Sequence, residues 1–264
     1  MPIITISRGS YYQGKSVAEK LASKLGFNCI SRDQVLDNLE EFHLPEIKLK
    51  RGLNDAFSIL DRFPNGKKRY LTAIRWAVLQ RFMEGNTVYH GLAGHHLVKD
   101  ISHVLKVRII ADTERRVKGE MTREGISLEK AQYILKKDDE ERRRWCMFLY
   151  GIDIFEAANY NLVIRVGHLS EDDAVDIIAN TAGLPLFQET PQSEKNLADE
   201  ALSAAVSYAL FDFPSAVVSV SEGNVNVILK APESQFDAIK TRVEDQLSEI
   251  KGISKYTVQI DPYY

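Results

Sequence analysis

Cysteine is scarce in this sequence. Cys29 and Cys146 are the only two among 264 residues, they stand far apart, and they form no Cys-x-x-Cys pair, which argues against a disulfide framework and for reduced thiols. Long apolar runs are missing as well: no window approaches the roughly 20 residues a helix needs to span a bilayer. The opening Met1-Pro2-Ile3-Ile4-Thr5-Ile6 lacks the basic residues and long apolar stretch of a secretion signal. Absence from the membrane and a cytoplasmic location are therefore expected. Nor is there an excess of charge. A formal net charge of −3 argues against a generally basic nucleic-acid binder. No internal repeat or low-complexity segment occurs. A hydrophobic fraction of 44% with 27% charged residues excludes a disordered or fibrous chain.

What is present alternates between strand and helix patterns. Ile3 to Ile6 is a short β-branched run followed by a Gly-containing turn, as in a buried parallel strand. From Lys15 the apolar residues Val17, Ala18, Leu21, Ala22 and Leu25 recur at helical spacing and stop at Gly26. Phe27 to Ile30 predicts a second strand. Asp33 to Gly85 predicts a large helical insert with breaks at Pro45, Gly52 and Pro64-Asn65-Gly66. Thr87 to His90, Val104 to Ala111 and Leu162 to Val166 supply three more strands, each followed by helical pattern. This alternation implies an α/β fold, a parallel sheet with helices on both faces.

Between the first strand and the first helix stands Gly9-Ser10-Tyr11-Tyr12-Gln13-Gly14-Lys15-Ser16, which satisfies the full Gly-x-x-x-x-Gly-Lys-Ser phosphate-loop pattern in the context that pattern requires. The glycines allow the backbone to turn its N–H groups toward phosphates, and the helix starting near Gly14 adds its positive dipole end. Lys15 is placed to neutralise the β- and γ-phosphates. Ser16 offers a hydroxyl to Mg²⁺. ATP and Mg²⁺ are the expected cofactors.

With the loop followed by Val17-Ala18-Glu19-Lys20-Leu21-Ala22-Ser23-Lys24-Leu25-Gly26-Phe27, the start resembles the nucleoside monophosphate kinases, specifically the cytidylate kinase-like family. A second stretch carries the resemblance further: Arg116-Val117-Lys118, then Arg123-Glu124-Gly125-Ile126-Ser127, Lys136-Lys137-Asp138-Asp139-Glu140-Glu141-Arg142 and Tyr150-Gly151 are similar to the family's lid. The resemblance covers about residues 1 to 183. It implies a P-loop kinase fold with a helical lid, with Lys15, Arg116, Arg123 and Arg142 in catalytic positions and Asp139 orienting an arginine. Phosphoryl transfer needs cations around the equatorial oxygens of the group in flight, which arginines on a lid supply. The plainer alternative treats Glu114 to Arg123 and Asp138 to Arg144 as solvated helix faces with ion pairs four residues apart.

The chain departs from the family at the third strand, where an Asp-Gly-Arg-Asp-like element gives way to His90-Gly91-Leu92-Ala93-Gly94. An acid and an acceptor-binding arginine are thereby lost, and Gly119 stands where another arginine is frequent. Acceptor binding is then expected from Arg32 and Asp33, just past the end of the second strand, and from Arg75 in the insert. Asp33 suits either proton acceptance from a hydroxyl or capping of the following helix. Lys67, Lys68 and Arg69 read as a solvated basic turn. His90, His95 and His96 lack the His-Glu-x-x-His spacing of a zinc site. Trp145, Phe148 and Tyr150 are expected to pack the lid hairpin.

The composition shifts between Leu184-Pro185 and Pro191-Gln192-Ser193, which divides the chain into a kinase-like domain over 1–188, a linker over 189–194 and a small α+β domain over 195–264. The last follows the order α-β-β-α-β and resembles BON domains, small binding or association units whose edge strands can pair with a second copy. Two functions are open to this sequence. One is an ATP-dependent phosphotransferase acting on a nucleoside monophosphate or other small anionic acceptor. The other is a nucleotide-binding sensor with reduced transfer, signalling through the C-terminal module.

Overall fold

The computed structural model describes residues 2–8, 11–39, 65–91, 93–98 and 101–263. In chain order its elements are β1 (Ile3–Arg8), α1 (Tyr11–Leu25), β2 (Asn28–Ser31), α2 (Arg32–Leu39), α3 (Gly66–Met83), β3 (Thr87–His90), the short α4 (Gly94–Leu97), β4 (Val104–Ala111), α5 (Thr113–Glu124), α6 (Leu128–Tyr150), β5 (Leu162–Val166), α7 (Glu171–Ala182), α8 (Pro191–Ala209), β6 (Val217–Ser221), β7 (Asn224–Ala231), α9 (Phe236–Ser248) and β8 (Lys255–Pro262). Two compact units emerge: one from the described residues of Met1–Ile59 and Glu84–Glu189, the other from those of Leu60–Met83 and Thr190–Tyr264.

The first unit is built on a parallel sheet ordered β2-β3-β1-β4-β5. Alternation along its central strands decides what each face carries. Ile4, Ile6, Leu105, Val107 and Ile109 join Val17, Ala18 and Leu21 of α1 and Ala174, Val175 and Ile178 of α7 in one apolar core. Thr5, Ser7 and Arg108 are equally buried but alternate with that set, so they belong to the opposite face. Helix α1 stops where expected, at Gly26 with φ 68°, a left-handed conformation that glycine adopts without a Cβ clash. Lys20 and Lys24 of α1 pair with Asp172 and Asp176 of α7 at 2.8 and 2.5 Å, on the exposed rim above that core.

The strands expected at Thr87–His90, Val104–Ala111 and Leu162–Val166 have those bounds. The second strand is shifted by one residue to Asn28–Ser31. Helix α1 begins at Tyr11, several residues before the expected start near Gly14. Of the expected insert, Pro45, Gly52 and Pro64 lie outside the described residues.

Helix α3 groups with the second unit. Trp76 stacks on Tyr208 of α8 with ring centroids 4.7 Å apart. Lys68 donates to the carbonyls of Pro214 and Ala216 at 2.6 and 3.3 Å, and Arg69 pairs with Asp212 at 3.1 Å. The basic turn expected to be solvated is thus tied to the α8–β6 connection. The stretch expected to be a linker starts a helix instead: Thr190 caps α8 by accepting from the Ser193 N–H, Ser193 reciprocates, and Pro191 occupies the first turn, where its missing N–H costs nothing.

The remaining order α8-β6-β7-α9-β8 is the α-β-β-α-β pattern read from the sequence, with strand order β6-β7-β8. Glu222 and Gly223 form a two-residue hairpin turn with φ 49° and 74°, as tight antiparallel turns require. Asp199 of α8 accepts from both of their N–H groups at 2.8 and 3.0 Å. Leu202, Val206, Val225, Val227, Leu229, Val243 and Leu247 form the core beneath. Leu229→Ala is expected to lower the unfolding free energy by about 2–5 kcal/mol, through lost burial and the cavity left behind, as measured by urea denaturation.

Candidate nucleotide and acceptor site

The loop motif meets the sheet at the carboxyl end of β1, the central strand, flanked by β3 and β4. Chain order reverses direction across the sheet there, which is where open α/β sheets bind ligands. Gly9 and Ser10 lie outside the described residues. Tyr11, Tyr12, Gln13, Gly14, Lys15 and Ser16 form the start of α1. A Cβ on Gly14 would sit 2.4 Å from the Cβ of Arg8, so glycine is required for α1 to settle against β1. The first turn of α1 carries no acidic residue, leaving the positive end of its dipole uncompensated there. Lys15 is half exposed and 3.6 Å from Glu19, one turn along. Ser16 donates its hydroxyl to Glu171 at 2.5 Å, a carboxylate that motif reading did not anticipate because it lies 155 residues away.

Helices α5 and α6 form the hairpin expected as a lid. Gly125 ends α5 with φ 64°, and Ser127 caps α6 by accepting from the Lys130 N–H. Arg116 is gripped by Asp139 through two bonds of 2.6 and 2.7 Å, a fork-to-carboxylate geometry that fixes the guanidinium plane. Arg123 pairs with Glu120 at 2.6 Å and Glu124 at 2.9 Å on the exposed side of α5. Arg142 is mostly buried, its Nη1 donating to the Arg8 carbonyl at 3.4 Å. Burial holds its pKa below the usual guanidinium value, against the opposing pull of Asp138 and Asp139.

A cavity of about 520 Å³ connects these parts. Its walls include Gln13 of α1 with Arg115, Arg116, Lys118 and Arg123 of α5 and Arg142 of α6, against the acids Glu120 and Asp138. Gly119 is also in its wall, with nothing within 4 Å of the position its Cβ would take. A larger cavity of about 840 Å³ runs beside Thr113, Lys136, Arg143, Met147 and Phe155 but includes no residue of α1. The smaller one joins the motif helix to the cations of the α5–α6 hairpin. Trp145 is fully buried and packs near Phe148, so it belongs to the hairpin's own packing.

Arg32 and Asp33 open α2 beside the sheet's carboxyl edge. Asp33 is not the helix cap: Ser31 accepts from the Gln34 N–H at 3.2 Å, and Gln34 Oε1 accepts back from the Ser31 N–H at 2.7 Å. Arg75 lies on α3 in the second unit and pairs with Glu200. His90 faces Arg8, whose Nη1 donates to its Nδ1 at 3.2 Å. His96 lies edge-on to Tyr150 and His95 packs against Tyr160. The three histidines have three different neighbours, and among the described residues no group of three or more His, Cys, Asp or Glu is placed to hold a metal. Gly91 and Gly94 have a packing reason: a Cβ at Gly94 would lie 2.4 Å from the Tyr89 ring, and one at Gly91 2.7 Å from the Arg32 Cβ.

A parallel sheet entered through a strand–loop–helix motif, flanked by helices and topped by an arginine-bearing hairpin, defines a P-loop kinase fold. Residues 3–168 match the model of the cytidylate kinase-like family, to which this chain belongs. It is 30% identical over 188 residues to the cytidylate kinase of Ignicoccus hospitalis, covering 67% of this chain and 97% of that protein. It is 27% identical over 165 residues to that of Sulfolobus acidocaldarius, covering 62% and 84%. The match to the Thermococcus kodakarensis cytidylate kinase, 33% identical over 95 residues, takes in 36% of this chain and about half of that protein, 48%. A crystal structure of an uncharacterized protein from Eubacterium ventriosum, 22% identical, covers 69% of this chain and 97% of its own, with a TM-score of 0.55, and shows the shared fold. The family match ends before the second unit's C-terminal part begins. Among the described residues no helix is long and apolar enough to cross a membrane.

Burial, with the charges of His96, Lys106 and Arg108 nearby, pushes the His95 imidazole down to about 3. The sign follows: below about 6.5 the unfolded chain takes up a proton that the folded chain refuses, so stability falls as pH drops from there toward 3. His95→Phe is expected to remove part of this loss, at most about tenfold in the folding equilibrium per pH unit. Urea midpoints of parent and variant between pH 7 and 4 check it.

Proposed function

We propose that this chain is an ATP- and Mg²⁺-dependent phosphotransferase whose acceptor is a nucleoside monophosphate or a comparable small anion. The observation that supports this most is the cation-walled cavity joining Gln13 of α1 to Arg116, Arg123 and Arg142 of the lid. Five cationic side chains against two acidic ones in that wall suit the charge of a triphosphate. The acid-free start of α1 and Lys15 add charge at the β- and γ-phosphates. Arg116, held in plane by Asp139, and Arg142, anchored on the Arg8 carbonyl, are pre-positioned to stabilise charge on the transferring group without reorganising. Arg123, on the exposed side of α5, closes the outer edge.

Ser16 and Glu171 offer hard oxygen donors of the kind Mg²⁺ takes while keeping most of its water. When bound, the metal would neutralise charge on the phosphates and act as a Lewis acid there. Arg32 and Asp33, past the end of β2, are the acceptor-side residues in this reading.

A second reading is a nucleotide-binding sensor with little transfer, read out by the C-terminal unit as a BON-like association module. It is favoured by Ser16 and Lys15 already being engaged by Glu171 and Glu19.

ADP release from ATP and Mg²⁺ across a panel of nucleoside monophosphates separates the two. The phosphotransferase gives acceptor-dependent release that falls at least ~100-fold in Lys15→Ala, with thermal unfolding of the variant near that of the parent. Tight ATP binding with no acceptor-dependent release across the panel favours the sensor. Unchanged turnover in Lys15→Ala would sink the site itself.

A further inference from the structure

Strand β8 ends the three-stranded sheet of the second unit. Its residues, Lys255–Pro262, pair in parallel with β7 on one side, and in the order β6-β7-β8 no strand follows on the other. A strand in that position presents a row of unpaired N–H and C=O groups, a template for a further strand. Alternation sorts its side chains. Val258 and Ile260 pack on the core shared with α8 and α9, and Tyr256, 41% exposed, is on the same face. Lys255, Thr257, Gln259 and Asp261 take the opposite face. There Thr257 donates to Asn226 of β7 at 3.0 Å, and Gln259 donates to Asp261 at 2.9 Å. Lys255 is exposed and makes no ion pair among the described residues.

Turned antiparallel on itself, this order of residues is self-complementary. A two-fold axis at Val258 sets Lys255 of one copy opposite Asp261 of the other, Thr257 opposite Gln259, Tyr256 opposite Ile260, and Val258 opposite its own counterpart. Opposite charges and polar groups then meet on the open face, apolar groups meet on the core face, and the axis repeats the ion pair. Slipping by two residues places Lys255 against Gln259 or Tyr263 and breaks both ion pairs. Slipping by one places Val258 against Gln259, which turns the helix-covered face of one copy toward the open face of the other. One register is thereby selected. The opposite edge has no such code: β6, Val217–Ser221, contains no charged residue, and Lys68 already binds the carbonyl of Ala216 just before it.

We propose that β8 is a self-association edge, through which two copies of this chain pair antiparallel about Val258 and join their three-stranded sheets into one. Main-chain bonds and the apolar contacts of Tyr256, Val258 and Ile260 supply affinity, while Lys255 and Asp261 fix the register. The contact lies outside residues 3–168 that match the family and uses none of the residues proposed to bind nucleotide. It therefore stands apart from the phosphotransferase reading.

Equilibrium sedimentation of the full-length chain is expected to show a reversible monomer–dimer equilibrium. Lys255→Glu sets an acid against Asp261 at both ends of the paired strands, and Asp261→Lys sets a lysine against Lys255. Each is expected to weaken the dimer by roughly tenfold or more, since two attractions become two repulsions. Mixing the two variants in equal amounts restores opposite charges at both ends, and a mixed dimer of near-parental affinity is expected. Lys255→Glu and Asp261→Lys combined in one chain are expected to restore the dimer in the same way. A purely structural role for either residue would not be rescued by mixing.

A parent chain that stays monomeric up to its solubility limit overturns the proposal. A dimer that both single variants leave unchanged assigns the contact to another surface and overturns it too. So does a dimer that the single variants weaken but that neither the mixture nor the combined variant restores.

Discussion

The strict alternation of side chains along β1 and β4 governs the first unit. Burying Ile4, Ile6, Leu105, Val107 and Ile109 beneath α1 and α7 fixes the register of the central strands. A shift of one residue would exchange the two faces, so this register is held by the whole apolar core. The same constraint sends Thr5, Ser7 and Arg108 to the other face, where an exposure of only 1 to 4% leaves them nearly dry. One face of the sheet is therefore a conventional core. The other carries these buried polar groups beside Ile3, Tyr89 and Val104.

Two charge balances follow from that arrangement. Along the lid, Asp139 fixes Arg116, and Glu120 and Glu124 restrain Arg123. Deeper in the unit, Arg108 and Arg142 have no such close pairing among the described residues, and burial with nearby cations holds His90 down to about 4 and His95 to about 3. A surplus of positive potential inside a low-dielectric region is unstable by itself and attracts anions strongly. Arg8 links the parts, with its carbonyl accepting from Arg142, its guanidinium on His90, and its Cβ pressed against the bare backbone of Gly14.

Much of this was legible because it is local. Apolar periodicity located the strands of the sheet and the order of the C-terminal elements, and the Gly-x-x-x-x-Gly-Lys-Ser spacing marked the strand-to-helix junction. What stayed hidden depends on partners distant in sequence. Gly14 reads as a phosphate-loop glycine, yet its close neighbour is Arg8 of β1, a contact the pattern does not encode. Helix α3 reads as part of an insert between β2 and β3, while Trp76, Arg69 and Arg75 find their partners on α8 and just beyond it, at Tyr208, Asp212 and Glu200. Ser31 competes with Asp33 for the cap of α2 and wins through Gln34, three residues on, a capping-box spacing that the sequence does contain. Arg108 offered the faintest clue, a charge at an alternate position in a largely apolar run, and only the fold shows that it meets the Ser7 and Tyr160 hydroxyls and the rings of Phe155 and Tyr160.

The most direct test of a phosphotransfer site between α1 and the lid is a crystal structure of the chain with a bisubstrate analogue, an adenosine and a second nucleoside joined through five phosphates. The phosphate chain is expected to run from the start of α1 and Lys15 past Arg116 and Arg142. A phosphate chain that lies elsewhere, or that leaves Lys15 and Arg142 uncontacted, would contradict that site.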